Sequence, residues 1–365
     1  MRKPKVVILS PPLTAVSGFS THANLLLASG LSQTYELLHF CAGSEGRVEN
    51  RLQKLARLVS SPFALLRFGL RQRPDIVHIN TGLDHKAYWR DLSYLAMAKL
   101  LRIKVVNQIH GGPTPAQFFP HSAALTWLLR RVLESSDAVS VLSREEYKAY
   151  AAFAPDILLA RIPNAIDPSD LLGPIAAPEP GRPLRLVYIG RLVREKGLFE
   201  ALDAIASLRR AGRRLQLDIA GGGAARQELQ ARSAELGLSD SVTFHGPVFG
   251  AEKNALWRAA DALVFPSYSE GLPYSLLEAM AAGTPAITCA VGAVPDVMQH
   301  GVHGLFVPPR DADAVAAAIA ALDDDRALLE RMAHAARDRV LEHYTLNRLA
   351  QDFGNLYEAV LRHKK

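Results

Sequence analysis

Two segments of the same form, one in each half of the chain, constrain the fold more than any other feature. The first is a short apolar run at residues 6–9, a Pro11-Pro12 step, the loop Ser17-Gly18-Phe19-Ser20 and an amphipathic segment at 21–31. The second is an apolar run at 184–189, a loop bounded by Gly190 and Gly197, and a helical pattern at 198–208. Each reads as strand, turn and helix, the opening of a doubly wound domain. Further apolar runs follow at 37–40, 76–79, 105–109 and 138–142, and then at 215–220, 242–244, 262–265 and 286–288. Helical spacing lies between them, and this alternation predicts two parallel sheets, each covered on both faces. A length of 365 residues suits two domains of that size.

Proline marks the boundary. Positions 163, 168, 174, 178, 180 and 183 are all Pro, a linker composition. The expected division is therefore a first domain at 1–165, a Pro-rich linker at 166–183, a second domain at 184–343 and a tail at 344–365. That tail carries Leu346, Leu349, Phe353, Leu356, Tyr357 and Val360 at helical spacing, so it needs a surface to cover.

Composition narrows the class. With 49% hydrophobic and 21% charged residues the chain is globular, not disordered. Cys41 and Cys289 are its only cysteines; they imply neither a disulfide framework nor a zinc site and fit a reducing cytoplasm. The first apolar run is too short for a signal peptide, and no run approaches the ~20 residues that span a bilayer. No metal-ligand spacing and no G-x-S-x-G elbow occurs. Gly221-Gly222-Gly223 lacks the third glycine of G-x-G-x-x-G, and the 190–197 loop lacks a P-loop ending, which demotes a dehydrogenase and an ATPase.

Net charge is +6, unevenly spread: residues 1–165 hold 20 Lys/Arg against 11 Asp/Glu, and the remainder 22 against 25. The segment 47–73, opening on Arg47 and closing on Arg73, has seven basic residues and one acid, Glu49, interleaved with apolar residues at helical spacing. Two readings stay open there, an element lying in an anionic membrane interface and a pair of solvated surface helices with snorkelling cations. Sparse aromatic residues argue against single-stranded nucleic acid.

Ligands of open α/β sheets bind at the carboxyl ends of the strands. Asn80 and His110 fall there in the first half; His110 is followed by Gly111-Gly112, which clears space, and its role is open. In the second half Arg191 and Lys196, five apart around a loop, are placed to share one diphosphate. The competing reading pairs them with Glu195 or Glu200 at the surface. Residues 265–280 form a strand end, a turn and a helix mouth, with Glu270 in the loop and Glu278 in the helix. N–H groups at Gly271 and Leu272 are expected to suit an anion and the carboxylates to suit hydroxyls. Ser275 and Glu278 equally satisfy a Ser-x-x-Glu capping box, and this stretch alone does not choose.

Taken together, Gly190-Arg191 with Lys196-Gly197, Glu270 with Glu278, Gly221-Gly222, His245-Gly246-Pro247-Val248 and Pro163-Asn164-Ala165-Ile166-Asp167 resemble the retaining glycosyltransferases of family 4. The resemblance covers nearly the whole chain and is strongest at 161–306. It implies a GT-B architecture, two facing Rossmann-like domains with a C-terminal helix crossing back to the first. Arg191 and Lys196 would then hold the diphosphate, and Glu278 the ribose. Glu270, with the backbone of Gly271 and Leu272, would hold donor-sugar hydroxyls. Gly190 and Gly18 would lie near the phosphates or sugar and main chain at Val248 near the base, while His110, with Asn80, would lie beside the sugar and acceptor.

Catalysis on that pattern rests on Glu270, His110, Arg191 and Lys196, with Glu270 a positioning group rather than a nucleophile. No metal and no cofactor is expected beyond a UDP- or GDP-linked sugar donor. The expected acceptor is a lipid-linked or growing surface-polysaccharide glycan, the expected place the cytoplasm or the inner face of its membrane. Rival readings on the same fold are a nucleotide-sugar epimerase, a phosphorylase and a catalytically silent nucleotide-sugar-binding subunit.

Overall fold

The computed structural model describes residues 2–47, 49–175 and 181–363, and the chain divides into two compact units. One unit comprises Met1–Ala165 with Leu346–Lys365, the other Ile166–Thr345. Residues 176–180 of the Pro-rich stretch lie outside the described residues. Residues just before them belong to the second unit: Leu171 is buried, and Arg337 donates to the Gly173 carbonyl at 2.6 Å. The stretch turns at Pro168, whose carbonyl accepts from the Leu171 and Leu172 N–H groups at 2.8 and 3.1 Å.

The first unit contains strands β1 (Lys5–Ser10), β2 (Glu36–Cys41), β3 (Ile76–Thr81), β4 (Lys104–Ile109), β5 (Ala138–Val141) and β6 (Leu159–Arg161). All are parallel, in the order β2-β1-β3-β4-β5-β6. The second contains β7 (Leu184–Ile189), β8 (Leu215–Ala220), β9 (Val242–Gly246), β10 (Ala262–Phe265), β11 (Ala286–Thr288) and β12 (Gly304–Phe306), in the order β12-β11-β10-β7-β8-β9. The central strands are near-continuous apolar runs because helices bury both faces. Only β6 and β12 were not anticipated; each is three residues long and lies at a sheet edge.

In both sheets the strand order reverses beside the first strand, between β1 and β3 and between β7 and β10. A crevice opens there at the carboxyl ends, the place where such sheets bind ligands. Gly18 follows β1 and Asn80 lies at the carboxyl end of β3; Arg191 and Glu270 follow the two strands of the second pair.

The helix Leu346–Arg362 completes the first core. Leu349, Phe353, Leu356, Tyr357 and Val360 are buried in one cluster with Val6 and Ile8 of β1 and Ala23 and Leu26 of the helix Gly18–Ala28. The tail's apolar stripe thus has its surface, although the whole second unit precedes it in the chain. The basic segment forms one continuous helix, Arg51–Gln72, in place of a pair. Asn50 and Gln53 close its first turn as a capping box, and Pro62 is accommodated inside it.

Candidate functional site

Three strand-end loops of the second unit are laced together by main-chain hydrogen bonds. Gly190 N–H donates to the Ala220 carbonyl (3.0 Å), Leu192 to Gly222 (2.9 Å) and Gly221 to Gly246 (2.7 Å). Gly221 sits at φ +141°, where a β-carbon would stand 1.8 Å from the Gly190 carbonyl oxygen. Only glycine admits this approach. Gly221→Ala is therefore expected to lower stability by about 1–3 kcal/mol, read as a fall in the midpoint of urea unfolding.

The same lacing delivers Lys196. Gly197, at φ +71°, would drive a β-carbon to 2.2 Å from the Pro266 carbonyl, so the 190–197 loop lies directly against the exit of β10. Tyr268 N–H and Ser267 Oγ–H both donate to the Glu195 carbonyl, at 2.8 and 3.1 Å. The Lys196 ammonium reaches Glu270 as an ion pair, with 12% and 9% of the two side chains exposed, and lies 5.3 Å from the Phe265 ring centroid. Neither Glu195 nor Glu200 takes the lysine. Glu200 accepts from the Tyr268 hydroxyl instead.

Arg191 behaves differently. Its carbonyl accepts from the Tyr188 hydroxyl at 2.7 Å, but among the described residues no carboxylate pairs with its guanidinium, which is exposed. Burial and the Glu270 charge push the Tyr188 phenol well above its ordinary pKa, while Arg191 opposes the shift. The strand end thus collects one free cation, one cation–carboxylate pair and a neutral phenol. Behind Glu270 the loop is braced by the Ala293 N–H, which donates to the Gly271 carbonyl at 2.8 Å.

Glu278 is the fifth residue of the helix Tyr274–Ala282, whose N-cap is Pro273. Ser275 therefore lies inside the helix, and the capping box that the Ser-x-x-Glu spacing offered does not form. The carboxylate accepts from Lys253 Nζ at 2.7 Å and from Trp257 Nε1 at 3.3 Å, both on the helix Gly250–Ala259. Each oxygen keeps lone pairs for further donors. At the other end of the helix, Arg337 donates to the carbonyls of Ala281 and Ala282, satisfying its last turn. Val248 is buried just after β9.

In the first unit Asn80 and His110 meet. Asn80 Nδ2 donates to the Leu9 carbonyl (3.1 Å), so its Oδ1 faces His110 Nε2 at 3.1 Å. Asn80 thereby fixes the neutral tautomer with hydrogen on Nε2 and leaves Nδ1 an acceptor. Phe19, next to Gly18, and His22 stand edge-on to the His110 ring at 5.2 and 4.7 Å. Further in, His78 Nε2 donates to Gln108 Oε1 (3.0 Å) and its Nδ1 accepts from the Tyr357 hydroxyl (2.5 Å), on the last helix.

Sequence reasoning singled out Asn80 and His110 and missed His22, His78, Gln108 and Tyr357, as it missed Lys253 and Trp257. A signal existed: His78 and Asn80 on β3, like Gln108 and His110 leaving β4, are two apart and share a sheet face.

These histidines are neutral. Burial lowers His22 to about 4 and His78 to about 3, and burial together with the other two holds His110 well below the usual range. The unfolded chain protonates all three near pH 6.5. Stability they contribute is thus present above pH 6.5 and lost as pH falls toward 4 and 3. Unfolding titrated at pH 5 is expected to take up roughly three more protons than at pH 8. The pH dependence of the melting temperature measures this; a flat profile from pH 7 to 5 contradicts it.

Among the described residues, no group of three or more His, Cys, Asp or Glu side chains is placed to hold a metal ion, and no helix is long and apolar enough to cross a membrane.

Sequence profiles agree with this arrangement unit by unit: Glycosyl transferases group 1 matches residues 176–339, and Glycosyl transferase 4-like domain matches 36–165. The chain is 31% identical over 319 residues to a glycogen synthase of Mycobacterium tuberculosis, covering 82% of this chain and 74% of that one. The chain belongs to the group 1 glycosyltransferases, family 4. A second relative in this glycosyltransferase family is a GDP-mannose-dependent alpha-(1-6)-phosphatidylinositol monomannoside mannosyltransferase of M. tuberculosis. It is 32% identical over 262 residues, 68% of this chain and 67% of that one. The fold is GT-B: sucrose-phosphate synthase from Thermosynechococcus elongatus superposes with a TM-score of 0.79 at 22% identity, over 97% of this chain and 98% of that one.

Proposed function

We propose that this glycosyltransferase moves a hexosyl group from a nucleoside-diphosphate sugar to an acceptor hydroxyl with retention of anomeric configuration. The observation that carries the reading is the convergence of Arg191, Lys196 and Glu270 at the strand-order reversal of the second sheet. Two cations there oppose the charge that develops on a departing diphosphate, and a carboxylate fixed by one of them receives sugar hydroxyls. A well-placed donor of this kind contributes about 3 kcal/mol to the transition state.

In the proposed step the bond from the anomeric carbon to the phosphate oxygen breaks while the acceptor oxygen bonds that carbon on the same face. The acceptor's proton passes to the departing phosphate oxygen, so no protein nucleophile is needed. Glu278, held by Lys253 and Trp257, takes the ribose hydroxyls through its remaining lone pairs. Gly18 leaves room for phosphate or sugar, Gly190 shapes the loop that meets the phosphates, main chain at Gly271 and Leu272 assists Glu270, and main chain at Val248 meets the base. His110, neutral and acceptor-only at Nδ1, hydrogen-bonds a hydroxyl without adding charge, and Asn80 orients it. The second unit on this reading holds the donor and the first the acceptor. No cofactor beyond the donor is called for.

For the acceptor we favour a lipid-linked or growing surface-polysaccharide glycan, met at the cytoplasmic face of a membrane. The relative named for a phosphatidylinositol mannoside acceptor and the excess of basic residues in the first unit support it. A thermal-shift screen of UDP- and GDP-sugars tests the donor, because a ligand of the native state raises the melting temperature. Product analysis with the selected donor then separates the readings: an epimerase turns over without acceptor, a phosphorylase needs free phosphate, and a silent binding subunit makes no product.

A further inference from the structure

The helix Arg51–Gln72 has a half that packs and a half that does not. Pro62, Leu65 and Gly69 are buried, and Gly69 lies against Leu101 and Ile103. Of residues 51–60 none is buried. Yet the exposed face of the helix is not polar. Leu52 is 78% exposed, Leu55 59%, Val59 59%, Phe63 61% and Leu70 60%. At 3.6 residues per turn these five fall in a single stripe running the length of the helix. Scattered exposed leucines need no explanation, but a continuous stripe of this length does.

The charges beside the stripe choose its occupant. Arg51 flanks it on one side and Arg67 and Arg71 on the other, and no acid occurs anywhere from 51 to 73. Glu49 occupies Arg57, leaving Arg51, Lys54, Arg67, Arg71 and Arg73 without an ion pair among the described residues. A second copy of the helix laid on this stripe would bring two unneutralised sets of cations together. An anionic lipid surface instead neutralises them while the apolar side chains enter the acyl boundary and the long cationic stems reach back to the headgroups. Trp89, 47% exposed, adds an aromatic anchor on the adjoining helix His85–Leu100, five residues before Tyr94, which bonds Ser61.

We propose that the stripe Leu52, Leu55, Val59, Phe63 and Leu70 is a membrane-docking element that lies in the interface of an anionic bilayer. It goes beyond the glycosyl-transfer reading and is tested by binding, so the two fail separately. Full-length protein is floated with vesicles of phosphatidylcholine, with and without phosphatidylglycerol, at low and high salt. Flotation is expected with the anionic vesicles alone and is expected to weaken with salt. Arg51→Ala/Arg67→Ala should lose roughly fivefold per cation removed. Leu55→Glu/Phe63→Glu should lose about tenfold or more with circular dichroism and melting temperature unchanged, since both positions are exposed. No flotation at low salt overturns the proposal, as does undiminished flotation of Leu55→Glu/Phe63→Glu. A wild-type dimer in sedimentation velocity that this variant abolishes, without vesicle binding, reassigns the stripe to a second copy and overturns it too.

Discussion

Lys196→Met is expected to cut kcat/KM for glycosyl transfer by about 10²–10³-fold, the effect of removing one preorganised donor from a developing anion. It should also lower stability. Lys196 and Glu270 are an ion pair with nearly all of both side chains covered, and removing one partner leaves a carboxylate without its counter-charge. The two effects are separable. Lys196→Met/Glu270→Gln removes both charges, so its melting temperature should recover most of the loss while transfer stays low. A purely structural lysine would leave the double variant as active as Glu270→Gln alone, whereas a lysine that grips the diphosphate lowers it further. Steady-state kinetics and unfolding midpoints of the four proteins in the cycle decide it. Wild-type turnover by the double variant, with its selected donor, would remove Lys196 from the diphosphate site.

That pair also shows where sequence reading stops. Lys196 and Glu270 were each identifiable as candidate site residues, from a glycine-bounded loop after one strand and a turn after another. Their contact depends on β7 lying beside β10, which is a property of strand order and not of any local pattern. The central strands were legible because burial on both faces leaves long apolar runs, whereas β6 and β12 are too short to display a period. Ser275 illustrates the opposite failure: Ser-x-x-Glu is a true capping spacing, but the helix starts at Tyr274 with Pro273 as its N-cap, two residues too early for Ser275 to cap it. Glu278 then finds Lys253 and Trp257 on another helix. The neutral histidine network is the largest element unread, because its closing member, Tyr357, arrives from the far end of the sequence.

Arg191→Ala is expected to lower kcat/KM by roughly 100-fold, with stability unchanged within about 0.5 kcal/mol. The contrast with Lys196 follows from the surroundings. The Arg191 guanidinium is exposed and pairs with no carboxylate among the described residues, so its removal strands no buried charge. The Tyr188 hydroxyl bonds the backbone carbonyl of Arg191 and not its side chain, so that bond survives the substitution. On the proposed reading the planar fork at the end of β7 takes the donor's diphosphate, since two parallel N–H donors suit phosphate oxygens better than one ammonium does. Arg191→Lys should accordingly restore only part of the activity, leaving a deficit of about tenfold. If the fork grips the donor's diphosphate, the thermal shift produced by the nucleoside diphosphate alone should shrink in Arg191→Ala. Transfer within twofold of wild type, together with an undiminished shift, would leave Arg191 a surface residue and Lys196 the sole cation at the phosphates.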